Sequence, residues 1–109
     1  MRDERYDFPI DDYIKRVDYI KPYANPNYGF FVYMLAILEA LLDRGIEVTR
    51  DTYVVLKTKR FSIEFEPRNI YVIRNAGHYI EYQLSICGCD SDTFENNVRN
   101  IIDVVVNRS

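Results

Sequence analysis

The sequence of 109 residues is short of the side chains that most catalytic sites require: it has one histidine, two cysteines and four glycines. His78 lies nine residues before Cys87, a separation of about 30 Å if both are on one strand at roughly 3.3 Å per residue. A cysteine–histidine nucleophile pair needs hydrogen-bond contact, so this spacing excludes one. The four glycines are scattered and no Gly-x-Ser-x-Gly segment occurs, which excludes a glycine-rich phosphate loop and a serine nucleophile of that type.

The sequence also lacks a complete set of metal ligands. Cys87 and Cys89 precede Asp90 and Asp92, but structural zinc is usually held by two spaced pairs of cysteine or histidine, and the second pair is absent. The acidic residues have a simpler explanation, because Asp92 fits the N-cap of a helix and Glu95, three residues later, completes a capping box. We therefore expect no metal site and no cofactor.

A carboxylate site on the predicted sheet is likewise incomplete. Glu64, Glu66 and Glu81 are predicted to share its exposed face, where paired carboxylates can do acid–base work or bind a metal. The common nuclease arrangement adds a lysine two residues after an acid on a strand, and no predicted strand has one. We therefore expect no enzymatic activity and interpret the glutamates as cross-strand partners of basic residues, namely Lys57, Lys59 or Arg74.

Long apolar runs are absent as well. The longest uncharged stretch, Pro22–Leu38, is too short and too interrupted by proline and asparagine to span a bilayer. The opening segment MRDERYDFP has no apolar run, which argues against a signal peptide. Cys87 and Cys89 are too close in sequence for an easy disulfide. We expect a reduced, cytoplasmic protein that does not bind membranes.

The chain is rich in apolar and aromatic side chains: 48% of its residues are hydrophobic, and it has ten tyrosines and six phenylalanines. This content predicts a single domain over residues 1–109, with the charged segment 1–7 as a flexible tail. The segment Phe61–Ile86 organises the domain, because apolar alternation around Pro67-Arg68-Asn69 and Asn75-Ala76-Gly77 predicts three strands joined by two turns. In the last strand the residues predicted to face inward are Ile80, Tyr82, Leu84 and Ile86.

Helices and further strands flank this meander. A helix over Pro9–Lys21 is predicted by the spacing of its apolar residues, and a loop over Pro22–Gly29 by its prolines and asparagines. Phe30–Arg44 predicts a second helix whose first half is apolar on all sides, so it is buried either in the centre of the chain or in an oligomer interface. The remaining predicted elements are strands at 46–49 and 53–58, a turn over 57–60, and a C-terminal helix from Asp92.

The predicted order of elements is α-α-β-β-β-β-α. It defines an α+β domain with an antiparallel meander of three to four strands, two N-terminal helices and one C-terminal helix. The helices are expected mainly on one face of the sheet, because the C-terminal helix has one apolar stripe, formed by Phe94, Val98, Ile101, Ile102 and Val105.

Charge is distributed unevenly along the chain, whose net charge is −3. Residues 44–74 carry seven basic and four acidic side chains, whereas acidic residues are in excess on both sides of this segment. With no catalytic motif, we predict a non-enzymatic protein-binding module, an inhibitor or adaptor that acts through acidic and tyrosine-rich surfaces. Its expected partner is a basic, nucleic-acid-handling protein, and the residues predicted to bind it are Asp11, Asp12, Asp18, Tyr23 and Tyr28.

Two further versions of this hypothesis concern the partner. Small acidic α+β proteins include phage proteins that block host defence nucleases, and by this analogy of size and charge alone the chain would be an inhibitor from a phage or mobile element. In the other version, the second predicted helix or an edge of the sheet forms a homodimer.

The alternative function is nucleic-acid binding by the basic segment 44–74. Aromatic side chains are interleaved with its basic residues, as in a sheet that stacks bases. Three observations argue against it. Alternation along the strand places Phe61 and Phe65 on the side that faces the core, and glutamates lie on the face that phosphate would meet. The sequence pI of ≈ 5.1 is also acidic. The residues that would bind phosphate are Lys57, Lys59, Arg60, Arg68 and Arg74.

Overall fold

The computed structural model describes residues 29–52, 54–86 and 91–108, except for the burial of Gly29 and Ser91. Its elements are α1 (Gly29–Asp43), β1 (Thr49–Thr52), β2 (Val55–Lys57), β3 (Phe61–Phe65), β4 (Asn69–Arg74), β5 (Tyr79–Ser85) and α2 (Ser91–Asn107). The five strands form one antiparallel sheet in sequence order, so the α+β class and the meander are confirmed. The predicted tail over 1–7, the helix over Pro9–Lys21 and most of the loop before Gly29 lie outside the described residues.

The prediction of three to four strands was wrong, because the sheet has five. The count depended on whether segment 46–58 forms one strand or two, and it forms two. Their bounds also differ from the prediction, since they are Thr49–Thr52 and Val55–Lys57 and not 46–49 and 53–58. Ile46 and Val48 instead pack against the core on the way from α1 to the sheet. All four residues of β1 are exposed and polar, so this edge strand has no apolar alternation from which it could be recognised.

The end of α1 is fixed by a backbone motif centred on Gly45. The Gly45 N–H donates to the Leu42 carbonyl at 3.0 Å, and the Ile46 N–H donates to the Leu41 carbonyl at 3.0 Å. Gly45 has a φ of 74°, in the left-handed region. These bonds are those of a Schellman motif, in which the residue after the helix is left-handed and the following apolar residue packs back on the helix. The predicted stop at Gly45 is therefore confirmed.

Substitution Gly45→Ala is expected to lower the free energy of unfolding by about 1–2 kcal/mol, the usual cost of a left-handed backbone for a residue with a Cβ. No atom lies within 4 Å of the position a Cβ would take, so the cost is one of backbone conformation alone. Urea unfolding of the two proteins measures it. Gly45→Asn is the control, because asparagine tolerates this conformation better and should lose less. Equal losses in the two variants would contradict the argument.

The core lies between the two helices and one face of the sheet. Five consecutive residues of α1, from Phe30 to Met34, are buried, which confirms an apolar first half covered on all sides within one chain. Tyr33 joins the helices: its ring lies 4.7 Å from that of Phe94, and its hydroxyl accepts a hydrogen bond from Asn97 Nδ2 at 3.1 Å. Central burial therefore leaves little apolar surface on the first half of α1 for a second copy.

The C-terminal helix begins one residue earlier than predicted. It runs from Ser91, so Asp92 lies inside its first turn and is not the N-cap. An acid in the first turn still complements the positive end of the helix dipole. The predicted apolar stripe of this helix is confirmed, since all five of its residues are buried. Neither helix of the described ranges is long and apolar enough to cross a membrane.

The sheet has an inner face against the helices and an outer face away from them. A β-bulge between the Val72 and Ile73 positions shifts the pairing of β4 with β5. Tyr82 and Leu84 keep the predicted inward orientation, but Ile80 pairs with Ile73 on the outer face and is 53% exposed. The prediction that Ile80 faces inward was therefore wrong. A bulge adds one residue to a strand, so each side chain beyond it points to the opposite face from the one that strict alternation predicts.

Candidate binding face

The outer face of the sheet is the candidate functional site. Register places its residues in two adjacent rows across the strands. We define the outer face by these eight residues: Val55, Glu64, Tyr71 and Gln83 in one row, and Lys57, Ser62, Ile73 and Ile80 in the next. None of the eight is buried, and Lys57, Ile80 and Gln83 are exposed.

The outer face has an apolar part and a charged part. Ile73 and Ile80 are cross-strand neighbours, and Tyr71 lies two residues from Ile73 on the same strand. Their side chains form a small apolar patch that water reaches. Lys57 and Glu64 supply one charge of each sign on the other strands of the face. The face therefore combines an apolar centre with separated charges of both signs.

Tyr71 lies on this face beside Glu66. Burial of its phenol raises the pKa of Tyr71 above its ordinary value of 10.0, and the negative charge of Glu66 and a hydrogen bond to it act in the same direction. A tyrosine with a half-buried ring and a polar tip is a common anchor in protein interfaces.

The inner face ends in a cluster of charged residues at the β4–β5 hairpin. Arg74 Nη2 donates to Glu81 Oε1 at 3.0 Å and to the Arg108 carbonyl oxygen at 3.1 Å, while Arg108 Nη1 lies 3.7 Å from Glu81 Oε1. The guanidinium of Arg74 also lies 4.8 Å from the centre of the Phe61 ring. The hydrogen bond to Glu81 is the main cause that raises the pKa of Arg74. This cluster fastens the C-terminal end of α2 to the sheet.

This arrangement changes two predictions about the charged residues. The predicted pairing of a strand glutamate with a basic residue is confirmed for Glu81 and Arg74. The prediction that Glu81 shares the exposed face with Glu64 was wrong, because the bulge turns its side chain toward Arg74 and the end of α2. Since Arg74 binds Glu81, the Arg108 carbonyl and the Phe61 ring together, it is poorly placed to bind phosphate.

The other basic residues of the alternative site are only partly brought together. Lys57 is on the outer face, and Lys59 and Arg60 are exposed in the adjoining β2–β3 turn. Arg68 lies in the β3–β4 turn, at the opposite end of β3. That strand has five residues and spans roughly 17 Å at about 3.4 Å per residue. The five predicted phosphate ligands therefore do not form one patch.

Two aromatic residues of the alternative are unavailable for stacking on bases. Phe61 and Phe65 are buried, in agreement with their predicted core parity. Tyr71 is on the outer face, but Glu64 lies beside it in the same row and Glu66 is close enough to act on its pKa. Two carboxylates next to the one candidate stacking ring on this face oppose a phosphate backbone.

Several predicted site residues lie outside the described residues. They include the whole of the predicted partner-binding set (Asp11, Asp12, Asp18, Tyr23 and Tyr28) and the pair Cys87 and Cys89. In the ranges that are described, no three His, Cys, Asp or Glu side chains are grouped as metal ligands would be.

Sequence reasoning missed the apolar patch of the outer face. Ile73 belongs to the apolar run of β4, and nothing in that run shows which of its residues face the helices. Ile80 was assigned to the wrong face because the bulge leaves no mark in the sequence. Comparison of this chain with protein-family models, with curated proteins and with solved structures found no match, so the geometry of the outer face is the basis for assigning a function.

Proposed function

We propose that this protein is a non-enzymatic protein-binding module, an inhibitor or adaptor, that docks on its partner through the outer face of its sheet. The observation that carries the proposal is the apolar patch of half-buried Tyr71 and Ile73 and exposed Ile80, flanked by Lys57 and Glu64. Protein interfaces have apolar and aromatic residues at their centre and polar or charged residues around them. The outer face has this composition, on strands that hold it rigid.

The acidic and tyrosine-bearing segment before α1 supplies a second contact in this proposal. The carboxylates of Asp11, Asp12 and Asp18 favour a partner with a basic surface, such as a protein that handles nucleic acid. Tyr23 and Tyr28 would add apolar contact area at low entropic cost. This part rests on the sequence, and it is tested separately from the outer face.

Nucleic-acid binding stays as the alternative, favoured by the proximity of Lys57, Lys59 and Arg60 at one end of the sheet. It makes a different prediction about salt. Binding through phosphate contacts weakens steeply as salt is added, because condensed counterions are released. Docking through an apolar patch weakens far less.

The experiment is affinity capture from cell lysate, with and without nuclease treatment and over a range of salt, using wild type and two matched variants. Ile80→Arg places a charge in the apolar patch of the outer face at a position that is 53% exposed. Leu42→Arg makes the same change on α1, away from the face, at a position that is 52% exposed. Circular dichroism confirms that both variants fold.

We expect one partner protein to be captured by wild type and by Leu42→Arg, to resist nuclease and moderate salt, and to be lost with Ile80→Arg. Loss of a few kcal/mol is typical when the centre of an interface is disrupted, which lowers capture by at least about tenfold. Equal capture by both variants would remove the outer face from the proposal. Loss of all bound protein on nuclease treatment would instead support the nucleic-acid alternative. A triple Asp11, Asp12 and Asp18 to Asn variant tests the acidic contact.

A further inference from the structure

The two edges of the sheet differ in how well they are protected against pairing with another strand. Within the described residues, β1 and β5 each have a neighbouring strand on one side only. β1 has four residues, two of them charged, and its pairing with β2 is irregular. Short length, charge and irregularity are the features that keep edge strands from pairing with other chains. By these criteria β1 is a protected edge.

β5 has few of these protective features. It has seven residues, YIEYQLS, with no lysine, arginine or proline. Its one irregularity is the bulge near Glu81, which leaves the stretch from Tyr82 to Ser85 in regular pairing with β4. Tyr79 and Ile80, at the start of the strand, are 51% and 53% exposed and project to opposite faces of the sheet. A strand added beside β5 would cover apolar surface on both faces.

The single charge of β5 is neutralised within the chain. Glu81 binds Arg74 at 3.0 Å and lies 3.7 Å from Arg108, and its side chain is only 14% exposed. The strand therefore presents no net charge to a neighbour. This matters because a two-fold axis places the same surface of both copies in contact, so any net charge on that surface repels itself.

We propose that two copies of this chain associate through antiparallel pairing of their β5 strands, which continues the two five-stranded sheets into one. An antiparallel strand pair has the two-fold symmetry that a homodimer requires. Among the described residues, the strand has no backbone partner along one side, and it has high β propensity and no self-repulsion; these three properties fit a second β5. The inference does not rest on the proposed function, because strand pairing uses the backbone at the edge of the sheet, although β5 also carries Ile80 and Gln83 of the outer face.

The test is the mass of the protein in solution, measured by sedimentation over a wide range of concentration. The chain has a mass of 13.0 kDa, and we expect it to approach twice that mass as concentration rises. The edge variant Gln83→Lys/Ser85→Lys adds two charges at exposed positions of β5 and should remain monomeric. The control Thr49→Lys/Thr52→Lys adds the same charges to the exposed positions of β1 and should still dimerise.

A second pair of variants separates charge repulsion from loss of folding. Gln83→Glu/Ser85→Glu should also be monomeric alone, but mixed with the lysine edge variant it should form a heterodimer, because opposite charges then meet across the two-fold axis. A wild-type chain that stays monomeric at every concentration would overturn the inference. So would a dimer that survives both edge variants, or one that is lost only with the β1 control. Because Ile80 also lies on β5, the Ile80→Arg variant is sedimented too, and loss of capture is assigned to the outer face only if the variant has the same oligomeric state as wild type.

Discussion

Phe61→Ala is expected to lower the free energy of unfolding by about 3–5 kcal/mol, the range for removal of a buried phenylalanine ring. Phe61 is 0% exposed and starts β3 on the inner face of the sheet. Its ring also lies 4.8 Å below the Arg74 guanidinium, which in turn binds Glu81 and the Arg108 carbonyl. Removal of the ring therefore leaves a cavity and takes away the apolar support of the cluster that holds the end of α2.

Such a loss is a large part of the stability of a domain this size, which is usually about 5–15 kcal/mol. We expect the melting temperature to fall by more than about 10 °C. The matched control is Tyr79→Ala, because the same guanidinium also lies over the Tyr79 ring, 6.0 Å from its centre, but Tyr79 is 51% exposed. Its removal should cost no more than about 1 kcal/mol. Similar costs for the two variants would show that the cluster, and not burial of the ring, determines the effect.

Phe61 also shows why much of the fold could be predicted from the sequence. In β3 the buried residues alternate with half-exposed ones, and the same alternation is visible as Phe61, Ile63 and Phe65 against Ser62 and Glu64. In α2 the buried residues recur at helical spacing. Both patterns arise because one face of each element packs against the core. The order of apolar and polar residues along the chain is therefore sufficient to predict them.

The features that could not be predicted are those for which the sequence does not show which residues of a strand face the core. β1 is exposed along its whole length, so its four polar residues show no alternation. In β5 the bulge places Ile80 on the outer face and Glu81 beside Arg74, although strict alternation assigns them the opposite way. A bulge is set by backbone pairing with β4, which is a long-range contact.

The apolar patch of the candidate binding face could not be predicted for the same reason. Its apolar patch joins Tyr71 and Ile73 of β4 with Ile80 of β5, and the sequence gives no reason to group them until the register is known. The basic segment, by contrast, looked continuous in sequence and is divided by the structure. Arg74 lies under the helix end, Arg68 lies at one end of the sheet, and Lys59 lies at the other. Charge counted along a chain does not show which face or end of a sheet each residue occupies.

The two turns at that second end of the sheet are joined by one side chain, Asn75. Its Nδ2 donates to the carbonyl oxygens of Thr58 at 3.1 Å and Lys59 at 3.3 Å, and its Oδ1 accepts a hydrogen bond from Ser62 Oγ at 2.6 Å. Its backbone N–H also donates to the Arg60 carbonyl at 2.8 Å. The amide thus links the β4–β5 turn to the β2–β3 turn across β3, and it fixes the relative position of the two hairpins.

Asn75→Ala is expected to lower the free energy of unfolding by about 2–4 kcal/mol, from three lost side-chain hydrogen bonds at about 1 kcal/mol each. Ser62→Ala is the matched smaller change, because it removes only the bond to Oδ1, and it should cost about 1 kcal/mol. Urea unfolding at neutral pH measures both. Equal losses would mean that the bonds to Thr58 and Lys59 contribute nothing, which would contradict the proposed link between the turns.

Asn75→Asp gives the sharper result, because it makes the same link depend on pH. The new carboxylate oxygen replaces Nδ2 and faces the Thr58 and Lys59 carbonyl oxygens, so folding should raise the pKa of the aspartate above its ordinary value of about 3.9. A raised pKa in the folded state means that stability is highest below the unfolded pKa and falls as pH rises through the folded one. Relative to wild type, this variant should therefore be most stable near pH 3 and should lose stability toward pH 7, by about 1.4 kcal/mol for each unit of pKa shift.

Ala76→Asp, in the same turn at an exposed position, should show little of this dependence. If the two aspartate variants instead follow one pH curve, the carbonyl oxygens do not act on position 75 and the turns are held together by the backbone bond alone.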